Sequence, residues 1–119
     1  MLLPTKKISS YKLGQFSEYL VAMFLICKGY KILHMRYKNP SGEVDIIARR
    51  TNTLAFIEVK SRKKLDLRYT LLGNKQISRI TKTAMLYLQK NNSYNSCDIR
   101  FDLIIVSNFW NIEHIQNAW

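Results

Sequence analysis

Apolar residues recur every three or four positions in two segments of the chain, and this spacing predicts two helices. The first runs from Ser10 to Lys28 and precedes Gly29, which suits a left-handed C-terminal cap. Its apolar positions are Phe16, Tyr19, Leu20, Met23 and Cys27. The second runs from Lys75 to Lys90. Its apolar stripe consists of Ile77, Ile80, Ala84 and Leu88.

Five segments with alternating or β-branched apolar residues, bounded by turn residues, predict strands. They cover residues 30–37, 44–49, 54–60, 99–106 and 111–119. A polar turn centred on Thr51-Asn52 joins the second and third strands, which predicts a hairpin. The third and fourth strands are separated by the second helix, so we expect parallel neighbours with a right-handed crossover. The order helix, three strands, helix, two strands predicts an α/β fold, in which helices flank a mixed sheet of about five strands. We expect one domain over residues 1–119.

The charge of the chain bears on its partners and not on its fold. Nineteen Lys and Arg against eight Asp and Glu give a formal net charge of +11 over 119 residues. Nucleic acid is the commonest partner for such a field, and an anionic membrane surface is the competing interpretation. The longest apolar run, residues 20–27, is too short to span a bilayer, and the chain begins with no signal-peptide core. We therefore expect a cytoplasmic protein that binds nucleic acid and no membrane.

Three acidic residues stand inside the segments that read as buried strand. They are Glu43 and Asp45 in GEVDIIAR and Glu58 in FIEVK. With the turn centred on Thr51-Asn52, Asp45 faces Glu58 across the hairpin, and opposed like charges destabilise a hairpin unless something positive lies between them. Lys60, on the same face as Glu58, is one candidate, and a bound divalent cation is the other. A solvated face with a weak ion pair is the alternative, although the apolar neighbours of these acids make it costly.

Carboxylate ligands suit Mg²⁺ or Mn²⁺, which commonly bind through one or two carboxylates plus a substrate phosphate. Such an ion polarises a phosphate and lowers the pKa of an attacking water, while Lys60 orients that water or neutralises developing charge. The chemistry predicted is phosphodiester hydrolysis. Glu18 is a further acid, in phase with Val21 and Leu25 on the first helix, and can lean toward the sheet. The alternative for Glu18 is an ordinary surface charge.

Two motifs in order, GEVDIIA from Gly42 and FIEVKSR from Phe56, resemble the YraN-like family of small bacterial proteins. That family is similar to the archaeal Holliday junction resolvases of the PD-(D/E)XK, restriction-endonuclease-like group. The resemblance covers nearly the whole chain, and also includes Gly14 and Glu18, Lys75-Gln76, Arg100-Phe101-Asp102 and Asn117-Ala118-Trp119. It implies a restriction-endonuclease-like nuclease domain. In that domain Asp45 and Glu58 would bind the metal, Lys60 would be the catalytic lysine and Glu18 an auxiliary acid. Glu43 belongs to the signature and would either ligate the metal or orient the site.

Basic residues near the hairpin ends and on the second helix are expected to contact a phosphate backbone. The candidates are Arg36, Arg62, Lys63, Lys75 and Arg79. An ordinary solvated surface is the alternative interpretation. His34 and His114 have no partners at ligand or nucleophile spacing, so we expect packed or surface histidines.

The expected function is a Mg²⁺- or Mn²⁺-dependent endonuclease that acts on structured or branched DNA, alone or as a homodimer. Two alternatives remain open from the sequence. One is a non-catalytic nucleic-acid-binding module that keeps the fold. The other is a partner protein of a DNA-processing complex.

Overall fold

The computed structural model describes residues 10–61, 72–107 and 111–119. The two helices are α1 (Ser10–Cys27) and α2 (Asn74–Lys90). The strands are β1 (Lys31–Asn39), β2 (Gly42–Arg50), β3 (Thr53–Ser61), β4 (Asp98–Ser107) and β5 (Asn111–Ile115). A short 3₁₀ helix, Asn92–Tyr94, connects α2 to β4. The predicted order of elements is confirmed.

The strands form one mixed sheet in the order β1-β2-β3-β4-β5. The β1–β2, β2–β3 and β4–β5 pairs are antiparallel, whereas β3 and β4 are parallel. The parallel pair follows from the connection, because α2 carries the chain back to the end of the sheet at which β3 began. The predicted α/β fold with a mixed sheet is therefore confirmed.

The β2–β3 hairpin has the predicted two-residue turn. Arg50 pairs with Thr53, and the ladder continues as far as Ile46 opposite Ile57. Thr51, the first turn residue, has φ +50°, which is uncommon for a β-branched side chain. This register places Asp45 and Glu58 at the next position along the hairpin, as the sequence predicts.

Alternating side chains divide the apolar core into two layers, one under each helix. We call the two sides of the sheet the α1 face and the α2 face. On the α1 face the buried strand residues Ile46, Ala48, Ala55 and Ile57 pack against Val21, Ala22 and Leu25. On the α2 face the buried strand residues Val44, Ile47, Leu54 and Phe56 pack against Ile80, Ala84 and Tyr87. Each fully buried large side chain contributes about 1.5–3 kcal/mol, so both helices are firmly attached.

Helix α1 buries the side opposite its most regular apolar stripe. Phe16, Tyr19 and Met23 are more than half exposed, whereas Val21 is completely buried. Glu18 lies on the buried side, as its phase predicts, and α1 therefore carries an acidic side chain to the sheet. Within the described residues, neither helix is long and apolar enough to cross a membrane.

Candidate active site

The side-chain alternation of β2 breaks at Asp45. Val44 packs on the α2 face and Ile46 on the α1 face, although a regular strand would place both on one face. The neighbouring strand is irregular at the same level, where Arg36 of β1 has φ +53°. Backbone outliers of this kind cluster at functional sites. The regular alternation that the sequence analysis assumed for β2 therefore does not hold at Asp45.

This break turns the Asp45 carboxyl toward β3. Its Oδ2 accepts a hydrogen bond of 2.8 Å from the Val59 N–H, and the carboxyl also contacts Glu58. Burial first, and then the hydrogen bond and the charge of Glu58, raise the pKa of Asp45 to about 8. The Val59 N–H and the Lys60 charge lower the pKa, but by less. The Asp45–Glu58 pair therefore favours holding one proton when no cation is bound.

Glu58 lies at the centre of the site and is only 7% exposed. The Lys60 Nζ lies 3.9 Å from the Glu58 Oε2, two residues along the same face of β3. The Gln76 Nε2 donates a hydrogen bond to the same oxygen from the first turn of α2. The structure thus brings together three residues predicted from the sequence, Asp45, Glu58 and Lys60.

Gln76 is a site residue to which the sequence analysis gave no role. It precedes Ile80 by one helical turn, so it lies in phase with the buried side of α2. A polar side chain at the start of that stripe is the signal that could have identified it. A crossover helix that follows a strand begins near the C-terminal end of that strand, where Glu58 lies.

The site opens into a cavity of about 490 Å³ between the β1–β2 turn and α2. Gly42 allows the turn to approach the helix, because it has φ +150° and an added Cβ would lie 3.0 Å from the Thr83 Oγ1. The Asn39 Nδ2 holds the same turn by donating to the Thr83 carbonyl at 3.0 Å. The lining residues are Lys38, Asn39, Pro40, Ser41, Gly42, Glu43, Asp45, Glu58, Gln76, Arg79 and Ile80.

Basic side chains surround the acidic centre of this cavity. Arg79 lines it, and Lys75 is exposed in the first turn of α2. Lys38, which was not among the predicted phosphate contacts, also lines it. The other two candidates, Arg62 and Lys63, lie outside the described residues. The cavity therefore combines the acidic pair with two exposed cations, Lys38 and Arg79.

Glu18 and Arg36 form an ion pair between α1 and β1, in which the Arg36 Nε donates to the Glu18 Oε2 at 2.7 Å. Burial raises the pKa of Glu18 and the Arg36 hydrogen bond lowers it, while the charges of Asp45 and Glu43 raise it further. Glu18 is thus electrostatically linked to the site. Arg36, predicted to contact nucleic acid, instead has its Nε–H occupied by Glu18.

Asp45 and Glu58 are the two acids that the structure brings into contact. Glu43 is exposed and lines the same cavity. Within residues 10–61, 72–107 and 111–119, no group of three or more His, Cys, Asp or Glu side chains is placed to hold a metal ion. Two carboxylates suffice for Mg²⁺, which keeps several waters in its coordination sphere. The carboxyl oxygens of Asp45 and Glu58 therefore fit a hard divalent cation.

A family model described as "Uncharacterised protein family UPF0102" matches residues 17–106. The chain belongs to this family. The match confirms the YraN-like family predicted from the GEVD and EVK motifs, and it spans Glu18, Asp45, Glu58 and Lys60. The family description states no activity, so it leaves the function of the UPF0102 site to be argued from its residues.

Individual UPF0102 proteins match over most of their length. One from Nitrobacter winogradskyi is 37% identical over 101 residues, which cover 85% of this chain and 86% of the relative. One from Rhodopseudomonas palustris strain BisB18 is 35% identical over 102 residues, which cover 86% and 76%. One from Ehrlichia ruminantium strain Gardel is 38% identical over 117 residues, which cover 96% and 88%. The similarity therefore includes the whole candidate site.

Proposed function

We propose that this UPF0102 protein is a divalent-metal-dependent nuclease that hydrolyses phosphodiester bonds in structured or branched DNA. The observation that supports it best is the contact between the carboxyls of Asp45 and Glu58, with the Lys60 ammonium 3.9 Å from Glu58. Two carboxylates in contact at a site largely shielded from water are costly when both are ionised, unless a cation lies between them. In a chain of net charge +11, such a pair calls for a specific use.

Each residue of the site has a role in this proposal. Asp45 and Glu58 hold Mg²⁺ or Mn²⁺, which when bound supplies a Lewis acid and a water of lowered pKa. Gln76 fixes the orientation of the Glu58 carboxylate through its hydrogen bond. Lys60 faces the same oxygen and either orients the attacking water or neutralises charge on the phosphate.

Substrate contacts in the proposal come from the cations at the edge of the cavity. Arg79 and Lys38 line it and contact phosphates on either side of the bond that is cleaved. Contacts of this kind position a nucleic acid without reading its sequence. Specificity for structured DNA would then depend on the shape of the substrate around the cavity.

A non-catalytic nucleic-acid-binding module is the second candidate function. It is favoured by one observation, that the described residues offer only two carboxyls to a metal ion and no cluster of three or more ligands. A module of this kind binds DNA in a salt-sensitive manner and ignores chelators. A partner protein of a DNA-processing complex would show only weak DNA affinity on its own.

The test is a cleavage assay on duplex, single-stranded, flap and junction DNA with Mg²⁺ or Mn²⁺. We expect cleavage of at least one structured substrate, which a chelator abolishes. Lys60→Ala should slow it by roughly 10²–10³-fold without changing the circular dichroism spectrum. Lys90→Ala, at an exposed position in the last turn of α2, is the matched control and should cleave normally.

Two results would decide against the nuclease. The first is no cleavage of any substrate in the panel. The second is salt-sensitive DNA binding that neither chelator nor Asp45→Asn changes, which would instead support the binding module.

A further inference from the structure

A second group of polar side chains lies on the α1 face of the sheet, opposite to the face that holds the acidic pair. Its centre is His114 of β5, whose side chain is 5% exposed. The Lys28 Nζ lies 2.7 Å from the His114 Nδ1, and the Asp102 Oδ2 lies 2.8 Å from the His114 Nε2. A nucleophile, a base and a group that orients the base are arranged in this way in activated nucleophiles.

Asp102 determines which nitrogen of His114 carries the proton. Its carboxylate is completely buried and accepts hydrogen bonds from Arg100 at 2.8 to 3.1 Å and from the Asn117 N–H at 3.2 Å. Burial alone would raise the pKa of Asp102, but the hydrogen bonds from His114 and Arg100 hold it below its usual range. An ionised carboxylate only accepts hydrogen bonds, so the His114 Nε2 donates and the Nδ1 lone pair faces Lys28.

The end of α1 places Lys28 over His114. Gly29 has φ +92°, and the N–H groups of Gly29 and Tyr30 donate to the carbonyls of Ile26 and Leu25, both at 3.0 Å. This is the predicted glycine cap, and it fixes the direction in which the chain leaves the helix. Lys28 precedes the glycine and remains partly exposed.

Charged groups face Lys28 from two further strands. Burial, and then the positive charges of Arg50 on β2 and Arg100 on β4, lower the pKa of Lys28, while the charge of Asp102 acts in the opposite direction. More of the amine is therefore unprotonated at neutral pH than in an ordinary lysine. Arg50 is exposed, donates to the Lys28 carbonyl at 3.3 Å and lies 5.2 Å from the Tyr30 ring centre. This guanidinium, held against the Lys28 backbone and close enough for its charge to act on the amine, suits a phosphate group.

We propose that Lys28, His114 and Asp102 form a second reactive centre, in which the Lys28 amine condenses with an aldehyde that carries a phosphate group bound by Arg50. The nitrogen lone pair forms the C–N bond while the carbonyl π electrons move to oxygen. The His114 Nδ1 accepts one proton from the nitrogen and passes it to the oxygen, which gives a carbinolamine. The remaining nitrogen proton then reaches the hydroxyl by the same route, the C–O bond breaks with water as the leaving group, and the nitrogen lone pair forms the C=N bond. The product is an imine, and the reaction needs no oxidant, reductant or metal ion. Small phosphorylated aldehydes and abasic deoxyribose in DNA share this chemistry.

The first experiment uses pyridoxal 5′-phosphate and, in parallel, a DNA duplex that contains one aldehydic abasic site. Each imine is reduced with borohydride, and the labelled lysines are identified by peptide mass spectrometry. At pH 7 we expect Lys28 to be labelled about tenfold faster than the exposed Lys31. Pyridoxal, which lacks the phosphate, should label Lys28 of the wild-type protein more slowly than pyridoxal 5′-phosphate does. It should label Lys28 of Arg50→Ala at the same slow rate as Lys28 of the wild type.

Variants separate a reactive centre from a purely structural network. His114→Gln keeps a donor for Asp102 and removes the base that faces Lys28, so we expect Lys28 labelling to slow about tenfold or more at an unchanged melting temperature. Lys28→Arg keeps the charge and should lose the label, whereas Lys31→Arg is the matched control. The pH profile of Lys28 labelling should begin at a lower pH than that of Lys31.

Each outcome supports or overturns the proposal. Labelling of Lys28 by only one of the two aldehydes supports it and shows whether the substrate is a small molecule or DNA. The proposal is overturned if the labelling rate of each lysine depends only on its solvent exposure. It is also overturned by a folded His114→Gln protein whose Lys28 reacts at the wild-type rate.

Discussion

Two aspartates of the same sheet, the half-buried Asp45 and the fully buried Asp102, have opposite surroundings. Asp102 accepts hydrogen bonds from Arg100, His114 and the Asn117 N–H, and its pKa is lowered. Asp45 accepts one backbone hydrogen bond and faces a second acid, and its pKa is raised to about 8. The negative charge of Asp102 is therefore compensated within the protein, whereas that of Asp45 is not.

This difference in charge compensation indicates a different role for each aspartate. A compensated carboxylate needs nothing from outside and can hold other side chains in place, as Asp102 holds His114. An uncompensated pair beside an open cavity binds a proton or a cation from solvent. The acidic pair is therefore a place where the surroundings favour uptake of a proton or a cation.

Replacing each aspartate by asparagine should give the largest difference, which is a difference in the free energy of unfolding. Asp102→Asn leaves the Arg100 charge without its partner, and we expect the free energy of unfolding to fall by about 3–5 kcal/mol. Asp45→Asn places a neutral amide beside Glu58 where the wild type has an acid whose ionised form repels Glu58, and we expect the metal-free protein to be as stable as the wild type or more so. Chemical denaturation in the presence of a chelator measures both. Equal destabilisation by the two variants would contradict the comparison.

The contributions of Asp45 and Asp102 to the pH dependence of stability should be opposite in sign. The pKa of Asp45, about 8, lies above that of an unfolded aspartate, so the folded state binds the extra proton and the free energy of unfolding falls as the pH rises from about 4 to about 8. Its slope is at most about 1.4 kcal/mol per pH unit. Asp102 has a lowered pKa, and its contribution is present above about pH 4 and lost as the pH falls through the folded value.

Denaturation series between pH 5 and pH 8 test this prediction. Asp45→Asn should flatten the slope in that range, and saturating Mg²⁺ should flatten it in the wild type because the ion displaces the proton. An unchanged slope in the variant would show that Asp45 is already ionised in the metal-free protein.

Gln76 should have the smallest effect, because it acts on the metal only through Glu58. We expect Gln76→Ala to weaken Mn²⁺ binding about tenfold by calorimetry, with no loss of helical structure. Gln89→Ala, an exposed glutamine on the same helix, is the control and should bind as the wild type does. Equal affinities in the two variants would remove Gln76 from the site.

Much of the fold and the acidic pair is predictable because both depend on local patterns. The two-residue turn at Thr51 fixes the hairpin register, which extends as far as Ile46 opposite Ile57 and so brings Asp45 and Glu58 to the next position along the hairpin. The phase of Glu18 with Val21 indicates the side of α1 that is buried, although the more regular stripe of Phe16, Tyr19 and Met23 lies on the exposed side. These are consequences of the strand period and the helix period, which a single sequence displays.

The remaining features depend on contacts between distant residues. His114 has no partner nearby in sequence, and its contact with Lys28 joins residues 86 positions apart. It is a packed histidine, as expected, but the alternation of residues along its strand does not predict which side chains it contacts. The interruption at Asp45 cannot be read from the sequence, because periodicity assumes regular strands, whereas Arg36 of β1 has φ +53° at the same level of the sheet.

The central claim is that the carboxyls of Asp45 and Glu58 hold a divalent cation. The most direct measurement is the anomalous difference map of a crystal soaked in Mn²⁺ and measured near the manganese absorption edge. We predict a peak within about 2.0–2.3 Å of carboxylate oxygens of both residues, which disappears in crystals of Glu58→Gln. A map with no peak between these two side chains at saturating Mn²⁺ would contradict the account.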